Sequence, residues 1–371
     1  MEKKNNKTGL LYALILFILA VGVFVIGFRE GVTLGEEEVR TSSFTLLNIL
    51  SLFIALIVSF IGQIVIHECG HLIAGKLSGY RFLFFRLFKW TILKKDDKLT
   101  WTHISIAGTG GQCLMLPPQD TPHPPYFFYL IGGVLANALT AGLAIIIYVW
   151  WWPSSILIIF AMMGFISCAI NGIPSGFNDG MTIKKIRANS IVRDQLMQQL
   201  EWTGKFTTGA TYREFDKEEI IYNPHAPLTE QSNVYGKLIE INSYLEKGYL
   251  KEAKGLLQPL WDEKEDIVGP YQIEIIREYV FCHLLLGEDE ENNAFVIDEA
   301  LNNPFFSNYI QSSQTDSYRI QATLAWYKDK DKEKALEWLN KARKKCEKAL
   351  LTVEKAVNTP LLDCLEYTLL S

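Results

Sequence analysis

Charged residues are distributed very unevenly along the chain. Three stretches contain no Asp, Glu, Lys or Arg: residues 8–28, 41–67 and 121–178. Because a helix needs about 20 apolar residues to cross a hydrocarbon core of about 30 Å, each stretch is long enough to span a membrane. The third is long enough for two spans, which Pro153 divides after three consecutive tryptophans. The pattern predicts four transmembrane helices, at 9–28, 44–74, 126–152 and 154–175.

The basic residues between these spans predict the orientation of the chain. The N-terminal segment carries three lysines, residues 29–40 carry four glutamates against two arginines, and seven basic residues lie from Lys76 to Lys98. Lys and Arg in short loops stay on the cytoplasmic side of a membrane. Because the first span lacks a small-x-small cleavage site, a retained anchor is favoured over a cleaved signal peptide. We expect a multi-pass integral protein, of a bacterial plasma membrane, with both termini in the cytoplasm.

Two segments rich in β-branched and aromatic residues follow the second span. Residues 82–93 and 98–107 flank a polar turn at residues 94–97. This pattern predicts a β-hairpin, which would lie at the inner membrane surface. Two roles remain open for it: binding an extended peptide, or simple anchoring at the membrane interface.

The second half of the chain is charged and has the periodicity of paired helices. The predicted pairs are 231–246 with 249–261, 270–286 with 290–302, and 316–327 with 332–348. The segments beginning at Gly248 and at Asp331 are similar to the second half of tetratricopeptide units. Such a solenoid would dock a protein partner or substrate on residues 227–371, whereas a plain α-helical domain is the alternative.

The predicted fold is an all-α membrane protein. It comprises a transmembrane helix bundle of about four spans, a small membrane-surface β-hairpin and a cytoplasmic tetratricopeptide-like α-helical domain. The predicted domains are an anchor helix with its outside loop (1–40), a membrane core (41–185), a connector (186–226) and the helical-repeat domain (227–371). The net charge of −5 gives no reason to expect nucleic-acid binding. The six cysteines are scattered without a C-x-x-C pair, which argues against a disulfide scaffold or a cysteine-rich zinc finger.

One motif in the second predicted span carries chemistry. His67-Glu68-Cys69-Gly70-His71 is an H-E-x-x-H pattern. On a helix the two histidines share one face and can hold one zinc ion, and the glutamate between them can act as a base. Two histidines and a carboxylate inside lipid cost several kcal/mol unless they have partners or bind an ion. The position of the motif therefore favours one Zn²⁺ ion over a chance match.

A hydrolytic zinc site usually has three protein ligands, so one more ligand is expected. Asp179 is the only charged residue between Asp120 and Lys184, and it follows the last predicted span. The second and fourth spans run in the same direction, so Asp179 and the two histidines are predicted at the same membrane face. A solvated aspartate in an ordinary exit loop is the alternative.

Three motifs, in order, resemble the site-2 protease family of intramembrane zinc metalloproteases. They are His67-Glu68-x-x-His71, the segment Gly132–Asn137, which is similar to G-P-x-x-N, and Asn171-x-x-Pro174-x-x-x-x-Asp179-Gly180. The resemblance covers residues 44–185. It departs from the family at Val134, where the family usually has Pro, and at Met181, where the family often has Gly. It implies that His67, His71 and Asp179 bind zinc and that Glu68 is the catalytic base. It also implies that Asn137 and Asn171 hold the site or the substrate backbone.

The expected function is an intramembrane zinc metalloendopeptidase that cleaves membrane-embedded or membrane-adjacent peptides. Its partners would be the lipid bilayer, a membrane protein or peptide substrate, and a protein docked on the helical repeats. One alternative is a non-proteolytic zinc-containing membrane binding or immunity protein, but such a protein would need ligands and no base at Glu68. A transporter-like protein is the other alternative, and the four spans show no inverted repeat.

Overall fold

A computed structural model describes residues 46–95, 98–103, 110–119, 121, 124–176, 178–287 and 289–371. The predicted first span and the loop after it, residues 9–40, lie outside the described residues. In the described part the protein is mostly helical, with one small antiparallel sheet. The chain forms two compact units with the main boundary between Asn189 and Ser190. They are called the first unit (residues 46–189) and the second unit (residues 190–371).

Three helices of the first unit are long and apolar enough to cross a membrane. The shortest has 18 residues and is about 27 Å long at 1.5 Å per residue, close to the thickness of a hydrocarbon core. The helices expected at 44–74, 126–152 and 154–175 are present to within a few residues, and their crossing of a membrane stays a prediction. They are α1 (Leu46–Leu77), α2 (Tyr126–Trp150) and α3 (Ser155–Gly172).

Glycines allow α1 and α2 to approach closely at the level of the histidines. A Cβ atom on Gly70 would lie 2.3 Å from the carbonyl oxygen of Gly132. A Cβ atom on Gly132 would in turn lie 2.6 Å from the carbonyl oxygen of Gly70. Small residues at a crossing let membrane helices pack backbone to backbone. The crossing therefore holds the histidine-bearing turn of α1 directly against the start of α2.

A four-stranded sheet follows α1 where a two-stranded hairpin was predicted. The strand order is β3-β2-β1-β4, so β3 and β4 are the edges. The prediction of one strand over 82–93 is wrong, because the backbone reverses at Phe88, which adopts a φ of 53°. Lys94 and Lys95, which belong to the predicted turn at 94–97, instead end the second strand, and the next strand begins at Lys98. The strands are β1 (Arg81–Leu87), β2 (Trp90–Lys95), β3 (Lys98–His103) and β4 (Gly111–Leu116).

A short helix, α4 (Asp179–Ala188), ends the first unit, and the second unit is helical. All six helices of the predicted pairs are present within a residue or two of their expected bounds; their tetratricopeptide character stays a prediction. Residues 186–226, which were expected to form a connector, contain one long helix, Ser190–Thr207. The last helix, Thr352–Leu370, was not predicted. The helices are α5 (Ser190–Thr207), α6 (Gln231–Glu246), α7 (Leu250–Asp262), α8 (Gly269–Leu285), α9 (Glu290–Asn302), α10 (Pro304–Tyr309), α11 (Thr315–Tyr327), α12 (Lys332–Glu347) and α13 (Thr352–Leu370).

The core of the second unit is apolar but encloses one ion pair. Aliphatic and aromatic side chains from the paired helices and from α13 are buried together. Among them the Arg319 guanidinium donates to both carboxylate oxygens of Glu278, at 2.7 and 2.9 Å, and each side chain is 1% exposed. Burial by itself would raise the pKa of Glu278, but the guanidiniums of Arg319 and Arg277 outweigh it and hold that pKa below its ordinary value.

Candidate metal centre

The structure brings the three predicted ligands together. His67 and His71 lie one turn apart on α1, are each 7% exposed, and have their Nε2 atoms 3.1 Å apart. Asp179 is the first residue of α4, and its Oδ2 lies 3.1 Å from Nε2 of His67 and 3.3 Å from Nε2 of His71. These three atoms form a nearly equilateral triangle between α1 and α4, two helices that are far apart along the chain.

The partner of His71 determines which ring nitrogen carries the proton. Nδ1 of His71 lies 2.8 Å from the backbone carbonyl oxygen of Tyr129. A carbonyl oxygen can only accept a hydrogen bond, so Nδ1 must donate. In a neutral imidazole, the other nitrogen then carries a lone pair. Nε2 of His71 therefore presents a lone pair to His67 and Asp179.

The partner of His67 is the side chain of Asn137, and it also keeps the ring proton on Nδ1. Nδ1 of His67 lies 2.8 Å from Oδ1 of Asn137, which is fully buried. The amide orientation is set by Gln63, because Nδ2 of Asn137 donates to its backbone oxygen at 2.9 Å and to its Oε1 at 2.7 Å. Oδ1 therefore accepts from His67, and Nε2 of the neutral ring has a lone pair as well.

The triangle fits a zinc ion. Three electron-rich atoms at 3.1–3.3 Å repel one another unless a cation lies between them. Ligand atoms bound tetrahedrally to zinc at about 2.0–2.1 Å are roughly 3.3 Å apart. Oδ2 of Asp179 is also buried with no hydrogen-bond donor in the described part of the chain. The donor set and its spacing both suit Zn²⁺ with a fourth position for water.

Asn178 positions the aspartate, although the sequence did not single it out. Its Oδ1 accepts from the backbone N–H of Met181 at 2.9 Å and so caps the start of α4. Its Nδ2 donates to the carbonyl oxygens of Ile170 and Ile173, at the end of α3. One side chain thus joins the end of α3 to the start of α4, which directs Asp179 back toward the histidines.

Glu68 lies between α1 and β4 and is 7% exposed. Its carboxylate accepts a hydrogen bond from the backbone of Cys113 in β4. A Cβ atom on Gly111, at the start of β4, would lie 2.8 Å from Oε1 of Glu68. Glu68 is therefore adjacent to the predicted ligand His67 without being part of the triangle, which leaves its carboxylate available as a base.

The predicted residue Asn171 does not reach the ligands directly. Its Nδ2 donates to the backbone oxygen of Ser167 at 3.0 Å, and the Ser167 hydroxyl donates to Oδ1 of Asn137 at 3.2 Å. Asn171 is therefore connected to His67 only through Ser167 and Asn137. Gln63 and Ser167 were not predicted from the sequence, although a polar residue inside an apolar span is a usable signal for both.

Gly133 lies against both imidazoles. A Cβ atom at this position would lie 2.6 Å from Cε1 of His67 and 2.6 Å from Nε2 of His71. The absence of a side chain at this position therefore leaves room for the two rings to take the orientation described above.

The chain has no match among family models, curated proteins or solved structures.

Proposed function

We propose that the protein is an intramembrane zinc metalloendopeptidase. One observation supports the proposal most strongly. Lone-pair atoms of His67, His71 and Asp179 converge, and the carboxylate of Glu68 lies beside them without belonging to the triangle. This arrangement lies on a helix that is long and apolar enough to cross a membrane. A site with only a structural role needs ligands but no adjacent base, so Glu68 favours hydrolysis over the non-proteolytic alternative.

His67, His71 and Asp179 would hold the ion. When bound, zinc supplies a Lewis acid that polarises a peptide carbonyl and makes a water molecule more acidic. Glu68 accepts a proton from the attacking water as the new C–O bond forms. Glu68 then returns the proton to the amine as the C–N bond breaks, so the base is regenerated.

The substrate in this proposal is a membrane-embedded or membrane-adjacent peptide in an extended form. The peptide bonds of a transmembrane helix are internally hydrogen-bonded, so a segment must unwind before it can be cut. β4 is a sheet edge next to Glu68 and offers a strand on which the unwound segment can pair. The helix pairs of the second unit would dock a protein partner or the soluble part of the substrate from the cytoplasm.

Glu68→Gln tests this proposal because it keeps the size and polarity of the side chain but removes the base. We expect the zinc content to stay the same and one or a few membrane peptides to accumulate uncut in quantitative proteomics. Glu290→Gln, at a side chain that is 88% exposed, is the matched control and should behave as wild type. Identical membrane proteomes for wild type and Glu68→Gln would contradict proteolysis and favour the non-proteolytic zinc protein.

A further inference from the structure

Tyr129 contacts both the predicted ligand His71 and the strand β4. It lies in the first turn of α2 and is 6% exposed. Its backbone oxygen accepts from Nδ1 of His71 at 2.8 Å, and its ring meets the imidazole edge to face at 5.8 Å between centroids. Its phenol donates to the backbone oxygen of Cys113, in β4, at 3.0 Å. One residue thus links the metal site to the strand beside the base.

The phenol also closes part of the β4 edge. Its oxygen accepts a hydrogen bond from the backbone of Met115, two residues after Cys113. The backbone of Cys113 in turn bonds to Glu68. Residues two apart in a strand face the same way, so these groups lie on one edge of β4, opposite its partner β1. Both backbone groups of Cys113 and the N–H of Met115, on which an added strand would pair, are thus already bonded.

The other end of the same edge is different. Gly111 lies two residues before Cys113, and a Cβ atom on it would lie 2.8 Å from Oε1 of Glu68 and 2.8 Å from Cγ2 of Ile64. A peptide that pairs here would lie next to the base. A peptide that pairs one step further along β4 would have to displace the phenol of Tyr129.

We infer that Tyr129 is a positioning residue that holds β4 in register with the metal ligands and confines the substrate strand to the Gly111 end of β4. This role rests on the proposed proteolytic function. It makes Tyr129 a determinant of which peptide bond reaches Glu68. It acts through β4 and His71, and it does not touch the reacting atoms.

The hydroxyl can be tested separately from the ring. Tyr80 stacks on Tyr129 at 4.8 Å between centroids with an interplanar angle of 22°, and Cδ2 of Tyr129 would lie 3.0 Å from a Cβ atom on Gly75. These contacts hold the ring without help from the phenol. Tyr129→Phe therefore removes the bonds to β4 and leaves the packing intact. Tyr126→Phe, one turn earlier on α2, is the matched control.

Amide hydrogen exchange on the full-length, zinc-loaded protein in detergent is the first measurement. We expect the amide of Met115 to exchange about tenfold faster in Tyr129→Phe than in wild type, since the hydrogen bond that this N–H donates to the phenol is lost and one buried hydrogen bond contributes roughly this much protection. Tyr126→Phe should exchange as wild type. Unchanged exchange in Tyr129→Phe overturns the inference, and so does loss of zinc or of the fold, which would assign a purely structural role.

Cleavage of dye-labelled β-casein, an unfolded polypeptide, is the second measurement. For Tyr129→Phe we expect a kcat/KM about tenfold lower, mainly through KM, and products cut at neighbouring peptide bonds that wild type does not cut. Identical products and kinetics overturn the inference. If Glu68→Gln cuts casein as wild type does, the proposed function fails, while the exchange result still decides whether Tyr129 holds β4.

Discussion

Asn137→Leu should weaken zinc binding, although Asn137 contacts the predicted ligand His67 and would not contact the zinc ion itself. Asn137 is fully buried, and its Oδ1 is the acceptor that keeps the proton of His67 on Nδ1. Leucine is similar in size and cannot accept that hydrogen bond. Without the acceptor, the ring can take the other tautomer, which directs an N–H instead of a lone pair toward the ion.

The size of the effect follows from the hydrogen bonds that are lost. The Asn137 side chain bonds to His67 at 2.8 Å, donates to Gln63 at 2.7 and 2.9 Å, and accepts from the Ser167 hydroxyl at 3.2 Å. The bonds to Gln63 stabilise the fold with and without metal, so their loss lowers stability and leaves the zinc affinity unchanged. Only the His67 bond is linked to the ion. Loss of such a bond raises the Kd for zinc by about 10–100-fold, or roughly 1.4–2.8 kcal/mol.

Competition with a chromophoric zinc chelator in detergent measures this affinity. Thr140→Val is the matched control, because the Thr140 hydroxyl donates at 2.8 Å to a backbone oxygen of its own helix. Its Kd should equal that of wild type. A folded Asn137→Leu protein whose Kd lies within twofold of wild type would refute the tautomer argument.

Two further predictions concern one residue at the site and one in the second unit. Gly133→Ala should abolish stoichiometric zinc binding, because its Cβ would lie 2.6 Å from atoms of both imidazoles, whereas Gly142→Ala, with no atom within 4 Å, should bind zinc as wild type. Zinc per chain after dialysis decides between these outcomes. Arg319→Met removes the bidentate partner of the buried Glu278 carboxylate and leaves Arg277 as its remaining cation, so it should cost about 3 kcal/mol and lower the Tm of the second unit by roughly 10 °C. Lys330→Met, which breaks an exposed pair, should cost under about 1 kcal/mol. Because the pKa of Glu278 is held below its ordinary value of 4.5, the stabilisation by this pair is complete above that pH and is lost on acidification. Equal Tm values for the two variants, or a Tm difference between wild type and Arg319→Met that does not shrink as the pH is lowered below 4.5, would contradict this reasoning.

The parts of the fold that the sequence predicted are those with a local signal. Long uncharged runs predicted α1, α2 and α3, and the periodicity of the second half predicted six helices nearly to the residue. The spacing within the H-E-x-x-H motif places two histidines on one helix face whatever the rest of the chain does. Asp179 could be paired with them because charges are so rare in this half that few candidates existed.

The parts that the sequence did not predict depend on contacts between distant residues. The reversal at Phe88 carries no Gly, Asn or Pro signal, so residues 82–93 have the pattern of one strand. The roles of Gln63 and Tyr129 follow from hydrogen bonds that cross between α1, α2 and β4. Asn178 caps a helix that begins after an irregular segment, where the sequence predicts a break but not its geometry.

The metal content of the purified full-length protein decides whether His67, His71 and Asp179 bind one zinc ion. The account predicts one zinc per chain in wild type, and none retained after dialysis in Asp179→Ala, whose missing carboxylate lies 3.1 and 3.3 Å from the two imidazole nitrogens. The same dialysis should leave zinc bound in Glu68→Gln, since that carboxylate is not a ligand. Wild type without zinc, or an Asp179→Ala protein that keeps it, would contradict the account.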